Sequence, residues 1–139
     1  MDETQLVLDA DDRFFAGLNQ MFTGNLEPIK QLWSHADDVV YMSPIGDVLI
    51  GWEAVLPSWV AQASLELGGD IKPVERHVTA DRGLAVVHHR ANGWNTDGDG
   101  NRVEFSLRGT NVYRKEADEW KLIAHHADPL QFLQASANS

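Results

Sequence analysis

Cysteine is absent from the 139-residue sequence, which excludes disulfides, thiolate nucleophiles and thiolate metal sites. The absence also fits a reducing compartment, so the expected location is the cytoplasm. No apolar run is long enough to cross a membrane, and no basic segment followed by an apolar one marks a signal peptide. We therefore expect a soluble protein that has no membrane partner.

Positive charge is also scarce, with 11 Lys and Arg residues against 21 Asp and Glu residues and a net charge of −10. Because nucleic acids and anionic lipid surfaces attract basic proteins, this balance argues against both as partners. The hydrophobic fraction of 43% is typical of a folded globular chain. The length predicts one domain, 1–139, with its core at about 9–132 and a frayed tail at 134–139.

Hydrophobic periodicity and turn composition divide the chain into helices followed by strands. Apolar residues recur at intervals of three and four near the N-terminus, and Gly-, Asn- and Asp-rich turns separate the later segments. The predicted helices cover about 4–23, 27–34 and a segment from 51 to the glycine pair at 68–69; the predicted strands cover 39–42, 48–50, 71–79, 84–94, 102–114 and 120–128. This order predicts an α+β fold, in which a curved antiparallel or mixed sheet wraps three N-terminal helices around a conical cavity.

The last predicted strand begins with apolar residues and ends with titratable ones. Because alternate side chains of a strand point to opposite faces, one face should carry Trp120, Leu122, Ala124, His126 and Asp128. Such a strand is suited to form the floor of a ligand pocket. His126 and Asp128 are a candidate acid–base pair, since a carboxylate can fix the tautomer of an imidazole.

Four short segments and the element order together carry a family resemblance. The segments are LWSHADDV at 32–39, GWEAV at 51–55, TNVYRK at 110–115 and WKLIAHH at 120–126. They resemble the nuclear transport factor 2-like superfamily, in its SnoaL-like and ketosteroid isomerase-like branch. The resemblance implies a cone-shaped, cystatin-like fold and a homodimer formed through the outer face of the sheet. It does not imply one function, because this superfamily contains enzymes, binding modules and association domains.

The chain departs from the ketosteroid isomerases at each of their catalytic positions. Ser43 stands where those enzymes carry an aspartate base, and serine has no pKa suited to shuttling a proton between carbons. Thr110 falls at the position of their protonated aspartate, and Gly17 falls near that of their oxyanion-hole tyrosine. We therefore predict that this protein is not a steroid isomerase.

The residue pattern leaves two interpretations of which face of the predicted strand 102–114 points inward. If Thr110 keeps the inward direction that the resemblance implies, Arg108 lies on the same face and an apolar outer face is left for dimerisation. The residue pattern alone favours the reverse, with Phe105 and Leu107 in the core and Arg108 in water. With the resemblance, we favour the inward polar row.

Two His-His pairs, 88–89 and 125–126, should flank that strand. One imidazole from each pair, with Arg108 between them, could hold a small acid; which histidine of each pair faces the cavity stays open. The predicted catalytic residues are His126 and Asp128, and the predicted substrate-binding residues are Arg108, Thr110, Tyr41, Ser43, His88 and Trp59. His126, Asp128 and an earlier histidine could instead bind a metal, but no helical His-x-x-x-His supports this, so we predict no metal and no cofactor.

Two functions from different classes remain after this reading. The first is proton transfer, of the isomerase, dehydratase or cyclase type, on a small and partly apolar molecule in the cavity. The second is a non-catalytic module that binds a ligand or supports an oligomer, with the histidines as hydrogen-bonded core or interface residues. Convergence of His126, Asp128 and Arg108 on a pocket would favour the enzyme, whereas an outward His126 or a cavity filled by tryptophans would argue against it.

Overall fold

The computed structural model describes residues 2–44 and 46–130. The predicted helices and strands occur in the predicted order. They are helices α1 (Glu3–Met21), α2 (Glu27–Leu32) and α3 (Trp52–Ser64), and strands β1 (Val40–Met42), β2 (Val48–Ile50), β3 (Asp70–Asp81), β4 (Leu84–Thr96), β5 (Arg102–Glu116) and β6 (Glu119–Pro129). The tail predicted at 134–139 and the predicted end of the core at 132 lie outside the described residues.

The six strands form one open, mixed sheet in the order β2-β1-β6-β5-β4-β3. Strand β1 runs parallel to β6, and the other neighbouring strands are antiparallel. The inner face of the sheet packs on the helices and carries buried side chains such as Val87, Tyr113 and Leu122. The outer face carries the alternate side chains, such as His88 and Arg108. The predicted α+β architecture is confirmed.

Helix α1 lies across the inner face and supplies much of the core. It begins at Glu3 because the Asp2 carboxylate accepts a hydrogen bond of 2.8 Å from the backbone N–H of Gln5. A β-carbon at Gly17 would lie 2.9 Å from Cδ1 of Ile29, so glycine is what lets α2 approach this closely. The buried side of α1 consists of Val7, Ala10, Asp11, Phe14, Phe15, Gly17, Leu18 and Met21.

A bulge in β6 reverses which residues of its second half face inward. Val112 pairs with Ala124, but Tyr113 pairs with Leu122, so Ile123 is an extra residue without a partner on β5. An inserted residue shifts the alternation of all later side chains by one position. The buried residues after the bulge are accordingly His125 and Ala127, whereas Ala124 and His126 are not buried.

The prediction that Ala124, His126 and Asp128 continue the buried face of Trp120 and Leu122 is therefore wrong. His126 is exposed on the outer face, and Asp128 is half-buried there. The pattern of two-residue alternation holds on each side of the bulge, but the two halves are out of phase.

On β5, the residues that the resemblance placed on the outer face of the sheet point inward. Asn111 and Tyr113 have no exposed surface, and Phe105 packs against the core. Arg108 is exposed and pairs with a carboxylate on the outer face. The predicted inward row of Arg108 and Thr110 is wrong, and the assignment from the residue pattern is confirmed. Phe105, Leu107 and Tyr113 share one face of β5, and burying them turns Arg108 to the opposite face.

Candidate functional site

A cluster of polar side chains is buried between α1 and the inner face of the sheet. Its centre is Asp11, whose side chain is completely buried. Oδ1 of Asp11 accepts hydrogen bonds from the Tyr113 hydroxyl at 2.7 Å and from Nδ2 of Asn111 at 2.9 Å. Nη1 of Arg76 donates to Oδ2 at 3.2 Å. Asp11 thus joins a helix to strands β3 and β5, and its charge is compensated in the low-dielectric interior.

The hydrogen bonds of Asn111 determine which nitrogen of His125 carries a proton. Because Nδ2 of Asn111 donates to the Asp11 carboxylate, its Oδ1 is the atom that faces Nδ1 of His125. An acceptor oxygen requires an N–H at Nδ1, so the neutral ring keeps its lone pair on Nε2. Nε2 has no hydrogen-bond partner among residues 2–44 and 46–130. The relay from Asp11 through Asn111 therefore orients His125 as a base.

The surroundings of His125 keep its ring neutral. Burial lowers the pKa of His125 from 6.5 to about 3, and the neighbouring imidazoles of His89 and His126 lower it further in the same direction. The ring centroid of Phe14 lies 4.9 Å from that of His125. With a pKa of about 3 the imidazole is unprotonated at neutral pH, and it is a weaker base than an ordinary histidine.

A second buried histidine, His89 on β4, lies beside the first. Its ring is nearly parallel to that of His125, with 6.5 Å between the centroids. The ring covers Gly109, where a β-carbon would lie 2.8 Å from Nε2 of His89. Burial lowers the pKa of His89 as well, and its Nδ1 is a buried nitrogen without a hydrogen bond within the described chain. His89 is therefore a second imidazole that burial keeps neutral.

Tyr41 and Trp59, both predicted to bind substrate, are buried on the same interior side. Their rings stack with 4.7 Å between the centroids, and the Tyr41 ring centroid lies 5.7 Å from that of His125. Nε2 of Gln62 donates to the Tyr41 hydroxyl at 2.8 Å, and the Ser43 side chain is a further hydrogen-bond partner of the same hydroxyl. Burial raises the pKa of Tyr41 to about 12, so the phenol stays protonated. Ser43, also predicted to bind substrate, follows β1 and is half-buried.

The predicted catalytic residues come together, but on the opposite side of the sheet. The Arg108 guanidinium donates to both carboxylate oxygens of Asp128, with Nε to Oδ1 at 2.7 Å and Nη2 to Oδ2 at 3.3 Å. These two residues, with His88, Thr110 and His126, line an open depression of about 370 Å³ on the outer face. His126 and Asp128 therefore line the same depression, but the carboxylate of Asp128 is held by Arg108, and the predicted position of both in the interior is wrong. The outward position of His126 argues against the proton-transfer role predicted for it. A role for the residues of this depression in substrate binding or catalysis stays a prediction.

Sequence reasoning missed the interior cluster, although α1 contains a signal for it. Asp11 stands beside Asp9 and Asp12 near the N-terminus, and such an acidic group is typical of a solvated helix face. Yet it lies four residues after Val7 and three before Phe14, within the apolar stripe of the helix. A carboxylate at such a position must be buried, and it then requires buried donors. His125 carries no comparable signal, because the bulge in β6 decides its face; Asn111 lies on the face of β5 that the residue pattern alone turns inward.

In 2–44 and 46–130, no three His, Asp or Glu side chains are grouped closely enough to hold a metal ion. None of the helices in this part of the chain combines the length and apolar character needed to span a membrane.

Comparison with known proteins gives a consistent family assignment. The family model described as the SnoaL-like domain matches residues 13–129. A structure from Streptomyces avermitilis, described as a candidate dehydratase of the nuclear transport factor 2-like family, is 26% identical with a TM-score of 0.79, covering 91% of this chain and 96% of that one. A search of curated proteins finds no match.

Two other solved structures share the fold. One from Thiobacillus denitrificans, described as a candidate calcium/calmodulin-dependent protein kinase type II association domain, is 28% identical with a TM-score of 0.68, covering 88% of this chain and 93% of that one. A nuclear transport factor 2-like superfamily protein from Salmonella enterica is 15% identical with a TM-score of 0.78, covering 90% of this chain and 89% of that one. At that identity the likeness concerns the fold alone.

Proposed function

Since the chain belongs to the SnoaL-like family of the nuclear transport factor 2-like superfamily, we propose that it catalyses proton transfer on a small, partly apolar organic molecule bound beside His125. The reaction is of the isomerase, dehydratase or cyclase type. The observation that carries this proposal is the buried relay of Asp11, Asn111 and His125, which leaves Nε2 as an oriented base. The description of the Streptomyces structure as a candidate dehydratase supports the same class of reaction.

The proposed chemistry uses one base and one hydrogen-bond donor. Nε2 of His125 removes a proton from a carbon next to a carbonyl group, and the Tyr41 hydroxyl donates to the carbonyl oxygen as negative charge develops there. The electron pair of the broken C–H bond forms the enolate double bond. The buried surroundings destabilise the imidazolium that results, so the ring holds this proton only briefly.

The low pKa of His125 favours rapid return of the proton. An imidazolium in this site is a strong acid, so it gives its proton readily either to a second carbon or to a departing hydroxyl group. The first outcome is an isomerisation. The second releases water and leaves a conjugated double bond, which is a dehydration.

The test is deuterium exchange at carbons next to a carbonyl. Cyclic β-hydroxyketones in D₂O are incubated with the protein, and proton NMR follows both α-carbon exchange and appearance of the enone. His125→Asn keeps a donor toward Asn111 but has no Nε2 lone pair, so its rate should fall at least about a hundredfold, to the buffer rate. The matched control, His126→Asn on the outer face, should keep the wild-type rate. Equal rates for wild type and His125→Asn would refute the proposal.

A role in oligomer association is the second candidate, and the outer face of the sheet favours it. Cross-strand pairing brings Val86 next to Val112 on that face and, further along the sheet, Val40 next to Ile50, whose side chain is 63% exposed. Such an apolar row is suited to pack against a second copy, forming the homodimer that the sequence predicts. The Thiobacillus structure described as an association domain supports this candidate.

Light scattering coupled to size-exclusion chromatography tests the homodimer. Val112→Arg should convert a dimer into a monomer, whereas Val60→Arg, a matched change at an exposed position of α3, should not. If the wild type is itself a monomer at micromolar concentration, the outer face is not a dimer surface. The cytoplasm remains the expected location for either function.

A further inference from the structure

We infer that the outer face of the sheet joins two copies of the chain while a row of three histidines on it is uncharged, and that acidification separates the copies. This inference rests on the homodimer proposed above, because it names the condition under which that dimer forms. None of the three histidines belongs to the interior site.

Three of the six histidines of the chain form a row across the outer face. Strand pairing places His77 of β3 opposite His88 of β4. His88 in turn lies opposite Thr110 of β5, and Thr110 lies opposite His126 of β6. All three imidazoles are exposed in the single chain. Because the β-carbons of opposite residues are about 5 Å apart, the four side chains form one continuous strip, which we call the histidine row.

The histidine row runs directly beside the apolar row of the proposed dimer surface. Val86 lies two residues from His88 on β4, and Val112 lies two residues from Thr110 on β5, so the two rows are about 7 Å apart. A second copy that covers the apolar row therefore also covers the imidazoles. An uncharged imidazole can be covered at little cost, whereas an imidazolium loses its hydration.

The charged residues on the other side of the histidine row neutralise one another. Strand pairing aligns them in the order Glu75, Arg90, Arg108, Asp128. Nη2 of Arg90 lies 3.5 Å from Oε1 of Glu75, and Nε of Arg108 lies 2.7 Å from Oδ1 of Asp128. Both carboxylates of this line already have a cationic partner, so neither is left free to stabilise an imidazolium.

The inner face of the sheet supplies no counter-charge either. His89 follows His88 on β4, and His125 precedes His126 on β6. Burial lowers the pKa of both inner rings, so they are neutral near pH 7. The buried carboxylate of Asp11 is compensated by its own donors on the inner side. A proton taken up by the histidine row therefore adds a charge that no neighbouring element offsets.

The charge of the whole chain favours a second copy on a surface of this kind. Each copy has a net charge of −10, so two copies approach most easily through surfaces that carry little charge. An ordinary histidine is mostly uncharged above pH 7 and mostly charged below pH 6. Acidification thus places like charges on two identical facing surfaces. It also lowers the net negative charge of each copy, but that long-range repulsion is screened by salt, whereas charges at the contact are not.

Sedimentation equilibrium at pH 7.5 and pH 5.5, at equal ionic strength, tests this inference. The dissociation constant of the dimer should rise about tenfold over this interval for each imidazole that must lose its proton, and hence about a hundredfold for one residue present in both copies. A variant that combines His77→Gln, His88→Gln and His126→Gln should dimerise equally at both pH values. The control is His35→Gln, at an exposed ring stacked on Trp52 away from the sheet's outer face, and it should keep the wild-type response. Circular dichroism at pH 5.5 verifies that each protein is folded.

The outcomes separate this inference from the proposed homodimer. If the wild type is a monomer at pH 7.5 as well, the homodimer fails and the inference fails with it. If the wild type is a dimer with the same dissociation constant at both pH values, the inference is overturned and the homodimer stands. A triple variant that dissociates on acidification as the wild type does would also overturn the inference, because the charge would then be taken up elsewhere.

Discussion

Because His125 is buried and neutral, we expect the free energy of unfolding of this protein to depend on pH. The substitution His125→Asn should remove the part of this dependence that comes from the imidazole. Its pKa is about 3 in the folded chain, whereas the unfolded chain has the ordinary value of 6.5. Between these values the unfolded state holds a proton that the native state does not, so stability falls as the pH falls. One pKa unit corresponds to about 1.4 kcal/mol, and lowering the pH from 7 to 4.5 should therefore cost about 3 kcal/mol through this group.

Urea denaturation of the wild type and of His125→Asn, each at pH 7 and pH 4.5, isolates this contribution. The asparagine keeps a donor for Asn111 but cannot take up a proton, so the variant should lose about 3 kcal/mol less than the wild type over this interval. Contributions of the carboxylates are common to both proteins and cancel in the comparison. Burial lowers the pKa of His89 too, so some pH dependence of the same sign should persist in the variant.

A second histidine variant serves as the control for this loss of free energy of unfolding between pH 7 and pH 4.5. His77→Asn, at an exposed position of β3, should keep the wild-type pH dependence. If wild type and His125→Asn lose the same free energy of unfolding between pH 7 and pH 4.5, His125 takes up its proton in the folded state. The assignment of a neutral base would then be wrong.

Two further substitutions test how the site is held together. Gly109→Ala would place a β-carbon 2.8 Å from Nε2 of His89, so denaturation should show a loss of about 1–3 kcal/mol, whereas Gly98→Ala, with no atom within 4 Å, should be near neutral. Equal effects of the two would contradict the close packing at His89. Asp11→Asn breaks a buried ion pair and should cost about 3–5 kcal/mol, whereas Asp12→Asn, at a 59% exposed side chain, should cost less than about 1 kcal/mol. A small effect of Asp11→Asn would show that the buried cluster does not depend on its charge.

The sequence by itself determined the elements of this protein, their order and its family. Hydrophobic spacing of three and four predicts the helices because one side of a helix must be apolar to pack on a sheet. Turn residues such as the Asn- and Gly-rich segment 95–101 predict the hairpins because they tolerate the backbone angles of tight turns. These signals are local, so they can be recognised in the sequence without knowing which strands pair in the sheet. The position of Asp11 in an apolar stripe is a signal of the same local kind.

Only the tertiary structure decided which histidine of each pair faces the interior. The extra residue at Ile123 is visible only in the pairing of β5 with β6, where Tyr113 lies opposite Leu122 and Val112 opposite Ala124. Because side chains alternate with a period of two, that single insertion exchanges the inner and outer residues of everything that follows it. The bulge thus moves the candidate site from His126 to its neighbour, through a long-range contact that the residues of the strand alone do not encode.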